Sequence, residues 1–319
     1  MRLLTYDAGE GARLGALASD GGIVDLARRS DDGAFRSLQA LIEAGPNALR
    51  AAERLLAGAE ETIAPASVQW LSPLPLPAQM RDFLVFEDHM RMAGWRGAQL
   101  RERWGAPPAP EEPMPIPPIW YEQPIYYKCN RFAVCGHGTR VSWPAQSRII
   151  DYELEFACVI GERACDIPAD RAEDFIFGYT IFNDLTARDL QFREMQGPLG
   201  PAKGKDFDNA NVLGPVIVTR DELGRAPDLA MTAHVNGELW SKGRTGSMHW
   251  SFPEMIEHVC RGETLHPGEV LGSGTVGGGC GLELGRTLMH EDVVRLEVEG
   301  IGVLEVAIDA PHVGERTTF

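Results

Sequence analysis

From about residue 120 onward the chain is a succession of short apolar runs, each closed by Gly, Pro or Asp. "RFAVCG", "YELEFACVIG", "GYTIFND", "VLGPVIVT", "MTAHVNG", "GEVLGSGT", "GLELG", "VVRLEVEG" and "GVLEVAI" follow one another with only two helical inserts. Runs of this length with turn residues at both ends read as strands, and many short strands with few helices build a sandwich, roll or barrel. The inserts are "DLTARDLQFREM", over 184–195, and "SFPEMIEHVCRG", over 251–262; Ser251 is placed to cap the second and Pro253 lies in its first turn. The reading is an α+β chain, mostly β.

The first 72 residues differ. "RLLTYD", "RLGALAS" and "GIVDLA" read as short strands, and the apolar spacing of Phe35, Leu38, Leu41, Ile42, Leu49, Leu55 and Leu56 predicts helices over 34–64. The Pro-rich joint "PLPLPAQ" then predicts a boundary, giving a small α/β domain over 1–72 and a catalytic domain over 73–319. A second Pro-rich stretch, "APPAPEEPMPIPP", falls inside an excursion over 97–118 that has no assigned role; a lid or a dimer contact are its two readings.

A net charge of −16 with no basic segment to offset it argues against a nucleic-acid partner. No apolar run approaches the ~18 residues needed to span a bilayer, and the start lacks a signal-peptide core, so a cytoplasmic protein with no membrane partner is expected. The six cysteines form no C-x-x-C pair, which argues against a zinc ribbon or a disulfide framework.

The stretch "DYELEF" alternates Asp151, Glu153 and Glu155 with Tyr152, Leu154 and Phe156, which puts three acids on one face of a strand. Two uses fit that spacing equally: a solvated edge strand, or a platform offering oxygens to one hard cation. Asp184 ends "GYTIFND", and Asp82 sits in "RDFLVFEDHM"; together these acids suit Mg²⁺, Mn²⁺ or Ca²⁺ better than Zn²⁺. Helical spacing from 184 would place Asp184, Arg188, Gln191 and Met195 on one face, either for a site or as a solvated Asp–Arg pair. The loop "GPLGPAKGKDF" presents Lys203 and Lys205, one of which could balance an oxyanion. His89, seven residues after Asp82, is a candidate base. Glu283, inside "GLELG", reads as a buried acid with a partner. The glycine-rich "LGSGTVGGGCGLELG" lacks the phosphate-loop pattern.

In this order, "RDFLVFEDH", "DYELEFACVIG", "GYTIFNDLTARDLQ", "GPAKGKDF" and "GSGTVGGGCGLELG" resemble the fumarylacetoacetate hydrolase family, over about residues 75–310. The resemblance implies a mixed β-sandwich roll with a small N-terminal domain, a homodimer and a small oxo-acid substrate. It implies a divalent metal, Mg²⁺ first with Ca²⁺ or Mn²⁺ as alternatives, held by Asp82, Glu153, Glu155 and Asp184. His89 matches the water-activating base, Glu283 the acid that orients it, and Lys205 an oxyanion partner. Arg188, Gln191 and Thr275 match substrate contacts. Asp151 has no matched role. Met92 stands where the decarboxylase-like branch carries a glutamate, which favours the fumarylacetoacetase-like branch. The implied activity is hydrolytic C–C cleavage of a 1,3-dicarbonyl acid with an enolate leaving group, of the kind used in aromatic-compound catabolism. Decarboxylation, tautomerisation, hydration or lyase chemistry at the same site is the alternative, and a non-catalytic metal or oxo-acid binder is another.

Overall fold

A computed structural model of the chain describes residues 1–197 and 199–319. It opens with β1 (Arg2–Asp7), β2 (Ala12–Leu17) and β3 (Ile23–Asp25), followed by α1 (Leu38–Ala44) and α2 (Pro46–Ala57). The Ser37 side chain accepts from Ala40 N to cap α1. Pro46 starts α2, where its missing N–H has no partner to lose. Then come β4 (Gln69–Trp70), β5 (Met80–Phe83), the long α3 (Glu87–Glu102) and α4 (Ile119–Glu122). The central run is β6 (Tyr126–Lys128), β7 (Val134–Cys135), β8 (Thr139–Ser142), β9 (Ile150–Asp151), β10 (Leu154–Ile160), α5 (Ala169–Ala172) and β11 (Ile176–Asp184). After it lie β12 (Thr186–Ala187), α6 (Arg188–Glu194), β13 (Asn211–Thr219), α7 (Arg220–Leu223), β14 (Ala230–Val235) and β15 (Glu238–Arg244). The chain closes with α8 (Phe252–Cys260), β16 (Val270–Gly272), β17 (Val293–Val298) and β18 (Gly302–Asp309).

The strands form a mixed 11-stranded sheet, ordered β3-β2-β1-β13-β11-β10-β16-β5-β6 with β4 on β1 and β7 on β13. A 5-stranded sheet runs β15-β14-β17-β18-β8, and β12 pairs with β9 apart from both. This is the α+β architecture expected from the short runs. The Pro-rich joint does not interrupt the large sheet: β1 pairs antiparallel with β13, Arg2 facing Val218 and Leu3 facing Ile217. The N-terminal strands thus extend the sheet that carries the site.

Every residue of β10 and β13 is buried, because the large sheet is covered on both faces. Leu154, Phe156, Cys158 and Ile160 pack into one core with α8 and the smaller sheet. Ala157 and Val159, on the alternate face, join Phe182, Met80 and the apolar residues of α1 and α2 in a second core. Glu155, Asp184 and Asp82 share the strand parity of Ala157, Phe182 and Met80 respectively, so all three carboxylates rise from this second face.

The 97–118 excursion divides in two. Residues up to Glu102 complete α3, and the proline stretch then folds back beside that helix, where Trp95 Nε1 donates to Pro110 O at 2.9 Å and Ala109 N to Glu102 Oε2 at 3.0 Å. All six cysteines are free. Among the described residues, no helix is long and apolar enough to cross a membrane.

Candidate metal and proton-transfer site

Strand order builds the first half of the site. β10 and β5 flank β16, and at the level of the acids β16 contributes Gly272, opposite Asp82. A Cβ on Gly272 would stand 2.6 Å from Asp82 Oδ1 and 2.9 Å from a Phe182 ring carbon, so only glycine leaves room there. Oxygens of Asp82, Glu155 and Asp184 consequently lie within 4.8 Å of one another, all buried. Gly274 N donates to Asp82 Oδ1 at 3.0 Å, Thr275 Oγ1 to Glu155 Oε1 at 3.3 Å, and the Tyr127 hydroxyl to Asp184 Oδ2 at 2.7 Å. Glu155 Oε2 and Asp184 Oδ1 are buried without a partner.

Three carboxyl groups packed this closely away from water cannot all ionise unaided. Burial, then the Asp184 charge, pushes Asp82 up to about 7. Burial also lifts Asp184 to about 6, against the pull of Lys205. Glu155 is held well above the usual range by burial and by both neighbours. An all-oxygen donor set with two orphaned buried oxygens and surplus negative charge fits a hard divalent cation.

The expected strand is interrupted just before Glu153. The strand predicted over 151–156 breaks at Tyr152: Asp151 pairs with β12, Glu153 makes only an isolated bridge to Cys280, and the ladder resumes at Leu154. Glu153 is not among the three acids whose oxygens meet, and each of its own oxygens accepts from a cation, Oε1 from Arg188 Nη2 at 2.7 Å and Oε2 from Lys205 Nζ at 2.7 Å. Burial would raise its pKa, yet Arg188 and Lys205 outweigh that and hold it well below the carboxylate range. Lys205 Nζ also donates to Asp184 Oδ2 and, at 2.9 Å, to Thr186 Oγ1. Lys203 is exposed. The helical face expected from Asp184 does not exist: Asp184 ends β11, and α6 begins only at Arg188. Arg188 Nη1 donates to Gln191 Oε1 at 3.1 Å within α6.

Asp151, which had no role from sequence, joins the two halves of the site. Fully buried, it accepts from Arg188 Nε at 2.8 Å, Gly281 N at 2.7 Å and Leu282 N at 2.9 Å. A Cβ on Gly281 would come within 2.6 Å of Asp151 Oδ1, so this glycine admits the contact. The same loop carries Glu283. His89, in the first turn of α3, places Nδ1 2.8 Å from Glu283 Oε2. Gly278 N and Gly279 N donate to that carboxylate at 2.9 and 3.1 Å, and Cys280 Sγ donates at 3.3 Å. Burial would lower the His89 pKa, but the charge and hydrogen bond of Glu283 prevail and raise it. Burial likewise opposes, and His89 with the Gly278 amide enforces, a lowered pKa at Glu283. Glu153 acts on the His89 charge as well, which sets the pair beside the carboxylate network.

The structure therefore brings together His89 with Glu283, and Asp82 with Glu155 and Asp184, and it ties Glu153, Arg188, Gln191 and Lys205 into a network between them. Thr275 touches the cluster. Sequence reasoning missed Asp151, Tyr127, Thr186 and Cys280. Asp151 carried a signal, since it shares the alternation of "DYELE"; Tyr127, in "IYYK", carried none.

Comparison with known proteins gives the site its setting. The chain is 37% identical over 185 residues to oxaloacetate tautomerase YisK of Bacillus subtilis, spanning 57% of this chain and 60% of that one. It is 29% identical over 286 residues to the mitochondrial oxaloacetate tautomerase Fahd2a of Rattus norvegicus, spanning 89% and 83%. Among solved structures, the fumarylacetoacetate hydrolase of psychrophilic Exiguobacterium antarcticum superposes with a TM-score of 0.73 at 25% identity, over 97% of this chain and 99% of that one. Residues 86–309 match the family described as Fumarylacetoacetate (FAA) hydrolase C-terminal, so the chain belongs to the fumarylacetoacetate hydrolase family.

Proposed function

We propose that this protein is a divalent-metal-dependent enzyme of short 2-oxo diacids that moves a proton between carbon and oxygen, a keto–enol tautomerase of the oxaloacetate type. The observation that carries the reading is the buried His89–Glu283 pair beside an under-neutralised three-carboxylate cluster. Two relatives that bear the tautomerase name support it.

Glu283, itself fixed by the Gly278 and Gly279 amides, holds His89 by Nδ1. Nε2 is then the ring atom that takes a proton from the substrate carbon and returns it. The raised His89 pKa stabilises the imidazolium that must persist between those two events. Asp82, Glu155 and Asp184 would hold the cation, which when bound supplies Lewis-acid polarisation of the substrate's carbonyl oxygens. Glu153 stays with Arg188 and Lys205 and keeps both cations in place. Gln191 gives its side-chain oxygen to Arg188 and keeps its amide hydrogens for a substrate carboxylate.

Hydrolytic C–C cleavage of a 1,3-dicarbonyl acid is the second reading. The same histidine could activate water, and the structural likeness to a fumarylacetoacetate hydrolase favours it. It needs an oxyanion donor, however, and the leading candidate is fully engaged. An ammonium group has three hydrogens, and Lys205 directs them to Glu153, Asp184 and Thr186. A proton shuttle needs no such donor.

The experiment follows the ketonisation of enol-oxaloacetate by ultraviolet absorbance with Mg²⁺ present. Wild type should accelerate it, and His89→Ala should lose roughly 10²–10⁴-fold while Mg²⁺ binding by calorimetry is retained. No acceleration by wild type would sink the tautomerase reading; two fragments released from an acylpyruvate would install the hydrolase in its place. A homodimer is part of the proposal, and light scattering at the chain's mass would remove it.

A further inference from the structure

We propose a second metal site, distinct from the oxygen cluster: His89, Cys280 and Glu283 form a soft, inhibitory site for Zn²⁺. The three side chains offer one nitrogen, one sulfur and one carboxylate oxygen, all buried and all within 4.8 Å of one another. That is zinc's preferred mixture of ligands, whereas the all-carboxylate cluster suits harder cations.

The spacing also fits. Ligands around a tetrahedral zinc, at about 2.0–2.3 Å from the ion, stand roughly 3.2–3.7 Å from one another. Glu283 Oε2 lies 2.8 Å from His89 Nδ1 and 3.3 Å from Cys280 Sγ. The shared oxygen already sits at the corner where both other ligands meet, so seating the ion requires small outward shifts rather than a rebuilt loop. Two features of the surroundings hold these ligands ready. Gly278 and Gly279 N–H groups fix the Glu283 carboxylate, and Cys280 bridges through its backbone to Glu153. Burial keeps the Cys280 thiol protonated until a metal displaces its proton.

The exchange balances without any oxidant. Zn²⁺ displaces the thiol proton of Cys280 to solvent, and the Nδ1 proton of the neutral His89 ring, held toward Glu283, is relocated to Nε2, so that one proton leaves and Nδ1 is free to ligate. With three protein ligands placed, a fourth position is left for water or a substrate oxygen. Such an ion breaks the Glu283–His89 hydrogen bond and fixes the imidazole as a neutral ligand, so the base can no longer be oriented or charged. The inhibitory consequence rests on the role given to His89 above; the metal site itself does not.

The test uses the full chain in saturating Mg²⁺, so that the oxygen cluster is not the zinc sink. Calorimetric titration with Zn²⁺ should show one further site, and substitution by Co²⁺ should give the near-ultraviolet sulfur-to-cobalt charge-transfer absorption of a thiolate ligand. Cys280→Ala should abolish that band and weaken Zn²⁺ binding by more than the roughly 10–100-fold that loss of an outer partner costs. Cys280→Ser serves as a second, closer replacement. Tautomerase activity, scored for each variant against its own uninhibited rate, should fall with Zn²⁺ in wild type and resist it in Cys280→Ala. Absence of the cobalt band in wild type overturns the proposal without recourse to any variant, as does Zn²⁺ inhibition that excess Mg²⁺ relieves. Because the band and the titration need no turnover, failure to tautomerise oxaloacetate would leave this proposal standing, and failure of the band would leave the tautomerase standing.

Discussion

Glu153 and Glu155 are the same residue type, two positions apart and both buried, yet the fold puts them in opposite states. Glu153 is saturated by Arg188 and Lys205 and lies well below the carboxylate range. Glu155 faces Asp82 and Asp184, keeps one oxygen without a partner and lies well above it. Burial is common to both, so the difference comes from where the two cationic side chains reach. Cations supplied by the protein neutralise one region and rigidify it; the other is left to a cation from outside. The region short of positive charge is the candidate ligand set, and the satisfied one is its scaffold.

The largest test of that contrast removes a scaffold cation. Lys205→Met leaves the buried Glu153 Oε2 unpaired and Asp184 Oδ2 with only the Tyr127 hydroxyl, and breaking a buried pair in this way costs about 3–5 kcal/mol. Urea denaturation of the metal-free protein should register that loss; a change below about 1 kcal/mol would mean that the network is not what holds these acids.

Next in size is the dependence on pH and Mg²⁺. Asp82 at about 7 and Asp184 at about 6 stand above their unfolded values, so the folded, metal-free chain binds the extra protons. Their contribution to stability is fully present below the ordinary carboxylate range and is lost as pH rises through about 7. Glu153 has the opposite sign, and its contribution disappears only in strong acid. The melting temperature of the metal-free protein should therefore fall between pH 5 and pH 8, and the rise that Mg²⁺ produces should grow over the same interval. A Mg²⁺ effect independent of pH would separate the ion from these carboxyl groups.

The smallest effect is expected at Thr275. Thr275→Val removes one 3.3 Å hydrogen bond to Glu155 and should cost about 0.5–1.5 kcal/mol in the metal-free protein, with less change once Mg²⁺ is bound. An equal loss in both states would place Thr275 in the scaffold instead.

Much of this architecture was legible in the sequence. Gly, Pro and Asp closing short apolar runs announced the strands, a local signal, whereas the alternating acids left a solvated edge and a cation platform equally open. The course of the chain between Asp184 and Arg188 was not: helical spacing put the two on one face, while the structure ends a strand at one and begins a helix at the other. The state of Glu153 depends on a lysine 52 positions away, and that of Asp151 on amides 130 and 131 positions away. Periodicity within a dozen residues carries no information about such partners. The proline joint is likewise a property of the chain, and the pairing of β1 with β13 a property of the sheet.

That pairing has a consequence for how the protein is made. Arg2 finds its partner only at Val218, and Asp82, which faces Tyr127 on one side, gains its neighbour on the other only at Gly272. At translation rates of roughly 5–20 residues per second, the first strand, though already beside β2, waits on the order of ten to forty seconds for β13. The strand bearing Asp82 waits for a segment made later still. Asp82 is made before Glu155 and Asp184, but β16, which sits between β5 and β10, is made after all three, so the cation site closes late in synthesis; until β13 is made, the β1 edge that it covers is open to a chaperone.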